Sequence, residues 1–212
     1  VSLFKSVPPD QVWAATWKNA QTHLLMFNYK GDPNGRHNLP GEPMLDYATS
    51  ALAVLGLVLA LARVANPHYS LLVFWFVIML CGGIFSLPFE APQSLRAIGT
   101  LPISHLLAFV AMARLWREFD LTFGPRRAGY GWLVALPMLA YVGFTNLNIY
   151  FVKQANDFAV WNAYSTAETF TARRMKEMGN GYDYHVISLY FQTPTMRLLA
   201  PGISSYKRLE TT

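Results

Sequence analysis

The side chains that could carry chemistry are concentrated in two short polar segments. Residues 27–46, FNYKGDPNGRHNLPGEPMLD, contain three glycines and three prolines, a density that excludes a regular helix or strand. A loop of this kind fixes the backbone and projects charged groups, and it can line a polar binding site or serve as a solvated connector. Its acidic and basic side chains are Lys30, Asp32, Arg36, His37, Glu42 and Asp46.

The second segment, SLPFEAPQSLR at residues 86–96, contains Glu90 and ends at Arg96. A guanidinium can bind a phosphate through two parallel hydrogen bonds, although arginines near membrane helices also extend into the headgroup layer without a binding role. His105 follows within an apolar stretch, where an ionisable residue is a functional candidate by default. A packing histidine and an axial ligand to a haem or pigment are the alternatives for His105.

No other residue pattern indicates a catalytic or cofactor site. Cys81 is the one cysteine, so an internal disulfide and a multi-cysteine metal site are excluded. The last sixty residues contain neither a glycine-rich phosphate loop nor a Ser-His-Asp or metal-ligand spacing. We therefore assign no catalytic residue, cofactor or metal ligand from the residues.

The elements that position these segments are predicted to be membrane helices. Of the 212 residues, 53% are hydrophobic and 14% are charged, whereas soluble domains carry about 25% charged residues. The stretches 47–62, 64–89, 97–113 and 128–152 carry no charge, and a membrane span needs about 20 apolar residues. We predict four transmembrane helices near 47–64, 69–87, 97–115 and 130–150. A soluble bundle would need a polar stripe on each helix, and residues 69–87 offer none.

The arginines predict the orientation of these helices. Arg114, Arg117, Arg126 and Arg127 follow the third predicted span, whereas only Arg96 lies between the second and the third. The positive-inside rule then places 114–129 in the cytoplasm and both termini outside. We expect an integral protein of a bacterial inner membrane. The sequence pI near 9.4 reflects this topology and a basic tail rather than a nucleic-acid-binding surface.

An amphipathic helix is predicted before the first span. Within residues 8–30, Asp10 is a candidate N-cap, and an apolar stripe follows with steps of three and four. Tryptophans in such a stripe favour the headgroup level of the outer leaflet, although packing on neighbouring protein would give the same pattern. The stripe consists of Trp13, Trp17, Ala20, Leu24 and Phe27.

A small α/β domain outside the membrane is predicted after the last span. Ser165 and Glu168 resemble a capping box at the start of a helix over 166–178. Residues 182–191 read as a strand, a short helix follows after Thr193, and SYKRLE reads as a last strand. The predicted organisation is thus 1–46, 47–152 and 153–212, in an otherwise all-α polytopic membrane protein.

Several segments together resemble the C-terminal part of one membrane enzyme family. They are FNYKGDPNGRHNLPGEPMLD, FEAPQSLRAIGTLP, AVWNAYSTAETFTARRM and HVISLYFQTPTMRLLAP. They resemble the GT-C glycosyltransferases of the family-39 or protein-mannosyltransferase-like kind, including the aminoarabinose transferases. These enzymes have many spans, an outer-face cavity and a small extracytoplasmic C-terminal domain, and they transfer a sugar from a polyprenyl-phosphate carrier to an acceptor.

The resemblance implies substrate-binding roles but no catalytic residue in this chain. The family's general base is an Asp in the first outer loop, and the chain is expected to begin after that loop, so neither Asp32 nor Asp46 is assigned to it. Cations aimed at the leaving phosphate would stabilise the transition state. The resemblance makes Arg36, His37 and Arg96 candidates for binding the carrier phosphate or sugar, with Glu90 and His105 completing the set.

A second hypothesis makes the chain an accessory subunit. A catalytically inactive relative of these glycosyltransferases could be a structural part of a larger membrane complex. The expected partners are the lipid bilayer, a polyprenyl-phosphate-linked sugar, and either a missing N-terminal transmembrane segment or other membrane subunits. No nucleic acid is expected.

Overall fold

The computed structural model describes residues 3–124, 130–187, 190, 193–202 and 206–209. The described chain is mostly helical, which confirms the helical fold class predicted from the charge-free stretches. It divides into two compact units, Val1–Asn156 and Asp157–Thr212, and each is described by itself.

In the described part of the first unit, the regular elements are all helical. A helix lies in each of the four predicted apolar stretches, and the last of them continues through a π-helical turn, Ile149–Lys153, and a 3-10 turn, Gln154–Asn156. The helices of this unit are α1 Leu3–Ser6, α2 Val12–Leu25, α3 Tyr47–Ala62, α4 Pro67–Ile84, α5 Thr100–Phe123 and α6 Trp132–Asn148.

Two helical segments of the described residues are long and apolar enough to cross a membrane. They are Pro67–Ile84 and Trp132–Asn156. The apolar helix α3 has 16 residues, which give a length of about 24 Å, short of a hydrocarbon core of about 30 Å. Helix α5 is longer, but charged residues begin at Arg114 in its second half. Length and hydropathy therefore support two spans rather than the four predicted.

Capping side chains begin α3 and α4, and a glycine ends α5. Asp46 caps α3, where its carboxylate accepts hydrogen bonds from the Thr49 backbone at 2.9 Å and from the Thr49 hydroxyl at 2.8 Å. Asn66 caps α4 by accepting from the His68 backbone at 3.0 Å. Gly124 ends α5 with φ +75°, a conformation that favours glycine.

Helix α5 packs closely on α3 through small residues. An added Cβ on Gly56 would collide with the backbone of Leu107, and Ala60 is fully buried. Close backbone approach of this kind is how membrane helices gain van der Waals contact. The core of the unit is apolar and consists of Met26, Ala60, Val73, Phe76, Leu80, Ala97, Ile103 and Leu107.

Helix α2 attaches to the unit by its polar side, while much of its apolar stripe faces outward. Asn19 and His23 are buried, whereas Trp13 and Trp17 are 83% and 67% exposed. The tryptophans therefore do not pack on the first unit. The predicted cap is wrong: Asp10 lies in a 3-10 turn, Pro9–Gln11, and Gln11 occupies the N-cap position of α2 without a side-chain cap. The turn moves the helix start beyond the reach of Asp10.

The second unit is also mainly helical. Its helices are α7 Phe158–Ala163, α8 Thr166–Met178 and α9 Pro194–Leu199. Its sheet consists of two parallel strands, β1 Tyr184–Ile187 and β2 Tyr206–Leu209, with Tyr184 opposite Tyr206. The described residues contain no strand beyond these two, so the small α/β domain that the sequence predicts is not supported. Predicted strand positions 188, 189, 191, 205 and 210 lie outside the described residues.

The second unit has a small core, and the start of α8 differs from the predicted capping box. Ser165 adopts a left-handed conformation with φ 55° and makes no side-chain cap, so the capping box is not formed. The hydroxyl of Tyr184 donates to the carbonyls of Met175 at 3.1 Å and Gly179 at 2.5 Å, which joins β1 to the end of α8. The core residues are Ala172, Met175, Val186, Met196 and Ala200.

Candidate functional site

The two polar segments meet at a buried carboxylate. Asp32 is 1% exposed, and its Oδ2 accepts hydrogen bonds from the Ser94 backbone at 2.8 Å and the Ser94 hydroxyl at 2.7 Å. His37 Nδ1 lies 3.0 Å from the same oxygen. The Asn34 backbone donates to Oδ1 at 2.8 Å and closes a turn within the first loop. Asp32 therefore holds the loop over 27–46 against the loop over 86–96.

The Asp32 cluster is a structural clamp rather than a nucleophile triad. In a Ser-His-Asp triad the imidazole stands between the hydroxyl and the carboxylate. Here the Ser94 hydroxyl and the His37 ring both bond to the same carboxylate oxygen. Because Nδ1 of His37 is occupied, Nε2 is the ring nitrogen that a ligand could reach.

A buried histidine of α2, His23, forms a hydrogen bond with the loop over 86–96. His23 Nε2 accepts a hydrogen bond from the Gln93 backbone at 3.0 Å, so the proton of the neutral ring is on Nδ1, which donates to the Asn19 carbonyl at 2.7 Å. Burial lowers the pKa of His23, and it outweighs the opposing effects of the Asn19 carbonyl and Asp32. His23 thus stays neutral and serves as a fixed acceptor.

Two adjacent glycines let α4 approach this histidine and the second loop. A Cβ on Gly83 would collide with the His23 ring, and a Cβ on Gly82 would lie 2.7 Å from the Arg96 carbonyl. Asn19 adds two bonds to the end of α4, donating to the carbonyls of Ile84 at 3.0 Å and Ser86 at 3.2 Å. The start of the second loop is therefore held by α2 and α4 together.

The clamp borders a cavity of about 380 Å³ between the two loops and the first turns of α5. Arg36 and His37 contribute its basic groups. Most of the remaining lining is apolar, so the cavity combines a guanidinium and an imidazole with a hydrophobic wall. The other lining residues are Met26, Phe27, Met44, Leu45, Ser94, Leu95, Ala97, Ile98, Thr100, Leu101 and Ser104.

Arg96 and Glu90 form a separate pair beside this cavity. Their side chains lie 3.5 Å apart and are each about one-third exposed. Glu90 lines a smaller pocket of about 220 Å³ together with Asp32, Asn34, Pro33 and Gln93. Arg96 thus faces a carboxylate in a partly exposed ion pair, and it is not among the described residues that line the larger cavity.

His105 lies apart from the other predicted site residues. Its side chain is exposed and its Nδ1 lies 2.9 Å from the Leu101 carbonyl one turn earlier in α5. His105 is exposed and is not among the described residues that line the cavity with Arg36 and His37.

The same end of the bundle is joined to α6 by two polar contacts. Asn146 Nδ2 donates to Asp46 Oδ2 at 3.0 Å, and Lys153 lies 3.4 Å from Glu42. Burial would raise the pKa of Asp46, but the hydrogen bonds from Thr49 and Asn146 outweigh it and hold that pKa below its usual value. Asp46 is therefore an ionised cap, and its oxygens are occupied.

Sequence reasoning missed Asp32, Ser94, Asn19 and His23 as the residues that build the site. A weak signal was present for Asp32, because Asp-Pro-Asn-Gly is typical of a turn closed by its first side chain. Nothing in the spacing indicates that Asp32 meets Ser94, 62 residues further along the chain. Among the described residues, no group of three or more His, Cys, Asp or Glu is placed to hold a metal ion.

Comparisons with family models, curated proteins and solved structures found no match to this chain.

Proposed function

We propose that this chain binds a polyprenyl-phosphate-linked sugar as part of an integral-membrane glycosyltransferase that acts at the outer face. The observation that carries the proposal is the cavity of about 380 Å³, in which Arg36 and His37 stand at the edge of an apolar wall. A polyprenyl phosphate has the matching chemistry, since an anionic headgroup is joined to a long hydrocarbon chain. The resemblance of the loop sequences to the GT-C glycosyltransferases agrees with this ligand.

Membrane insertion of all four apolar helices belongs to the proposal. Outward side chains of α4 and α6 are large and apolar, and examples are Leu71 at 61%, Phe74 at 60%, Leu133 at 71% and Phe144 at 73% exposed. In water such faces would be costly, whereas in a bilayer they require no partner. Helix α3 could cross with its flanking residues, and Arg114 of α5 could extend toward the headgroups.

The orientation follows from the distribution of cations. Arg114 and Arg117 lie at the end of α5 opposite the cavity, and Arg126 and Arg127 follow in the sequence. The positive-inside rule makes this end cytoplasmic. The cavity and both termini would then face the outer side of a bacterial inner membrane, where carrier-linked sugars could enter from the lipid.

Chemically, the chain would bind and stabilise the phosphate rather than supply the base. Transfer of the sugar leaves negative charge on the carrier phosphate, and preorganised cations stabilise that charge as it develops. Arg36 would supply a guanidinium, and the clamp would direct His37 Nε2 toward the same group. Asp32 is occupied by four hydrogen bonds, which fits a positioning role and leaves the general base unassigned.

The test compares two ligands that differ only in the phosphate. Binding of a polyprenyl phosphate and of the corresponding polyprenol is measured with the detergent-solubilised protein, its Arg36→Ala variant and a Lys18→Ala control. Lys18 is an exposed cation of α2 that does not line the cavity. A charge-assisted hydrogen bond contributes about 1.5–3 kcal/mol, so Arg36→Ala should weaken phosphate binding by roughly ten- to a hundredfold.

The polyprenol and the control decide the outcome. We expect the polyprenol to bind weakly and equally to all three proteins, because it makes only apolar contacts. Equal affinity of wild type and Arg36→Ala for the phosphate would remove Arg36 from the site. Equal affinity of the wild type for phosphate and alcohol would refute the proposed ligand.

An accessory role in a larger membrane complex is the second candidate, and α6 is the observation that favours it. Ala135 is the one buried residue of this helix among the described residues. A helix with so little cover could pack against further membrane helices. Purification of the protein in a mild detergent would distinguish the two, since stable co-purifying subunits and no affinity for the carrier would favour the accessory role.

A further inference from the structure

A second pocket lies at the end of the bundle opposite the loop cavity. It has a volume of about 520 Å³ and is formed where the end of α3, the start of α4 and the second half of α5 meet. Three arginines converge on it from two helices. The lining residues are Arg63, Tyr69, Phe109, Val110, Ala113, Arg114 and Arg117.

The pocket carries more positive charge than its carboxylates neutralise. Arg114 pairs with Glu118 at 2.5 Å. Among the described residues, neither Arg63 nor Arg117 has a carboxylate oxygen within 4.0 Å. The guanidinium of Arg63 lies 5.7 Å from the centre of the Tyr69 ring, a cation–π contact that keeps its charge and fixes its position.

The pocket also has an apolar side that continues along α5. Phe109 is 67% exposed, and Val110 and Ala113 lie between it and the arginines along the same helix. A phosphate bound by the guanidinium groups would place attached acyl chains against these residues. Tyr69 adds an amphipathic ring of the kind found at the headgroup level of membranes.

We propose that this pocket binds the phosphate headgroup of an anionic phospholipid, such as phosphatidylglycerol or cardiolipin, in the leaflet opposite the loop cavity. Arginines that only extended into the headgroup layer could lie anywhere around the bundle. Here three of them line one pocket, which indicates a binding site. Basic pockets between membrane helices at the cytoplasmic side are typical sites for such lipids. The site is separate from Arg36 and His37, so it does not depend on sugar-carrier binding, but it rests on the membrane insertion of α3 and α5 that belongs to the proposed function.

The experiment measures lipid retention on the intact protein. The delipidated protein in detergent is titrated with cardiolipin, phosphatidylglycerol or phosphatidylcholine, and bound lipid is counted by native mass spectrometry. Two double variants are compared: Arg63→Ala/Arg117→Ala, which removes two charges, and Arg63→Lys/Arg117→Lys, which keeps them. The control is Arg174→Ala, because Arg174 is an exposed cation of the second unit that does not line the pocket. A parallel titration adds inorganic phosphate to the cardiolipin complex.

We expect the wild type and Arg174→Ala to prefer the anionic lipids over phosphatidylcholine by at least tenfold. The double alanine variant should lose this preference, and the lysine variant should keep much of it, which separates lost charge from lost folding. Inorganic phosphate in large excess should not displace cardiolipin, because it lacks the acyl chains. Equal retention of all three lipids by the wild type, an unchanged preference in the double alanine variant, or displacement by inorganic phosphate would each overturn the proposal.

Discussion

The contact between Gly83 and His23 gives the sharpest test of how the candidate site is held. A methyl group added at Gly83 would overlap the imidazole, and the ring cannot move freely because both nitrogens are bonded. Overpacking of this kind costs about 1–3 kcal/mol, and loss of the Gln93 bond adds roughly 1 kcal/mol for a partly buried donor. We expect Gly83→Ala to lower the free energy of unfolding by about 2–4 kcal/mol.

A matched glycine in another helix provides the control. Gly143 lies in α6, and a Cβ built there meets no atom within 4 Å. Gly143→Ala should be neutral or stabilising by up to about 1 kcal/mol, because alanine is the better helix former. Chemical unfolding in mixed micelles, followed by circular dichroism, would compare the two variants directly.

A double-mutant cycle tests the contact itself. His23→Ala removes the ring and leaves a space that the methyl group of Gly83→Ala would partly fill. The double variant should therefore be no less stable than His23→Ala alone, with a coupling energy of about 1 kcal/mol or more. Additive losses, or equal stability of Gly83→Ala and Gly143→Ala, would refute the contact and the support it gives to the second loop.

Two further predictions follow from the same cluster. Burial lowers the pKa of His23 below the ordinary 6.5. Its contribution to stability is therefore present above pH 6.5 and declines as the pH falls, because the unfolded chain then binds more protons than the folded one. Unfolding measured as a function of pH should not show this decline in the His23→Gln variant. Asp32→Ala leaves the Ser94 backbone donor buried without a partner, so it should lower the free energy of unfolding by about 2–4 kcal/mol and raise amide exchange in both loops. The control, Asp157→Ala, removes the cap of α7. It should lower the free energy of unfolding by about 1 kcal/mol and leave amide exchange in the loops unchanged.

The sequence predicts the helices well because the signal is local. Charge-free stretches place α3, α4 and α6 within a few residues of their observed bounds. The helix predicted over 166–178 coincides with Thr166–Met178, although Ser165 does not make the expected cap. Helical hydropathy depends on neighbouring residues alone, so no knowledge of the tertiary fold is needed for it.

The rotation of each helix is harder to predict, because it depends on what the helix packs against. The stripe of Trp13 and Trp17 identifies an amphipathic α2, but it does not say which face meets the protein. Asn19 and His23 turn inward because the carbonyls of Ile84 and Ser86 and the Gln93 N–H offer them hydrogen bonds. Those partners lie more than sixty residues away in sequence.

For the same reason, the sequence predicts only part of the arrangement of the candidate site. Arg36 and His37 share one loop, so their proximity follows from the sequence, and both line the cavity. Glu90 and Arg96 also share a loop, but they pair with each other and lie beside the cavity. The link between the loops through Asp32 and Ser94 is a tertiary contact with no periodic signal, and only the structure reveals it.

The most direct test of the proposed function is photolabelling of the intact membrane protein with a polyprenyl phosphate that carries a photoreactive group beside the phosphate. Labelled peptides are identified by mass spectrometry, with unlabelled polyprenyl phosphate and polyprenol as competitors. We predict labelling within 26–45 or 94–104, the segments that line the cavity, and competition by the phosphate but not by the alcohol. Labelling confined to other parts of the chain, or equal competition by the alcohol, would contradict the proposed site.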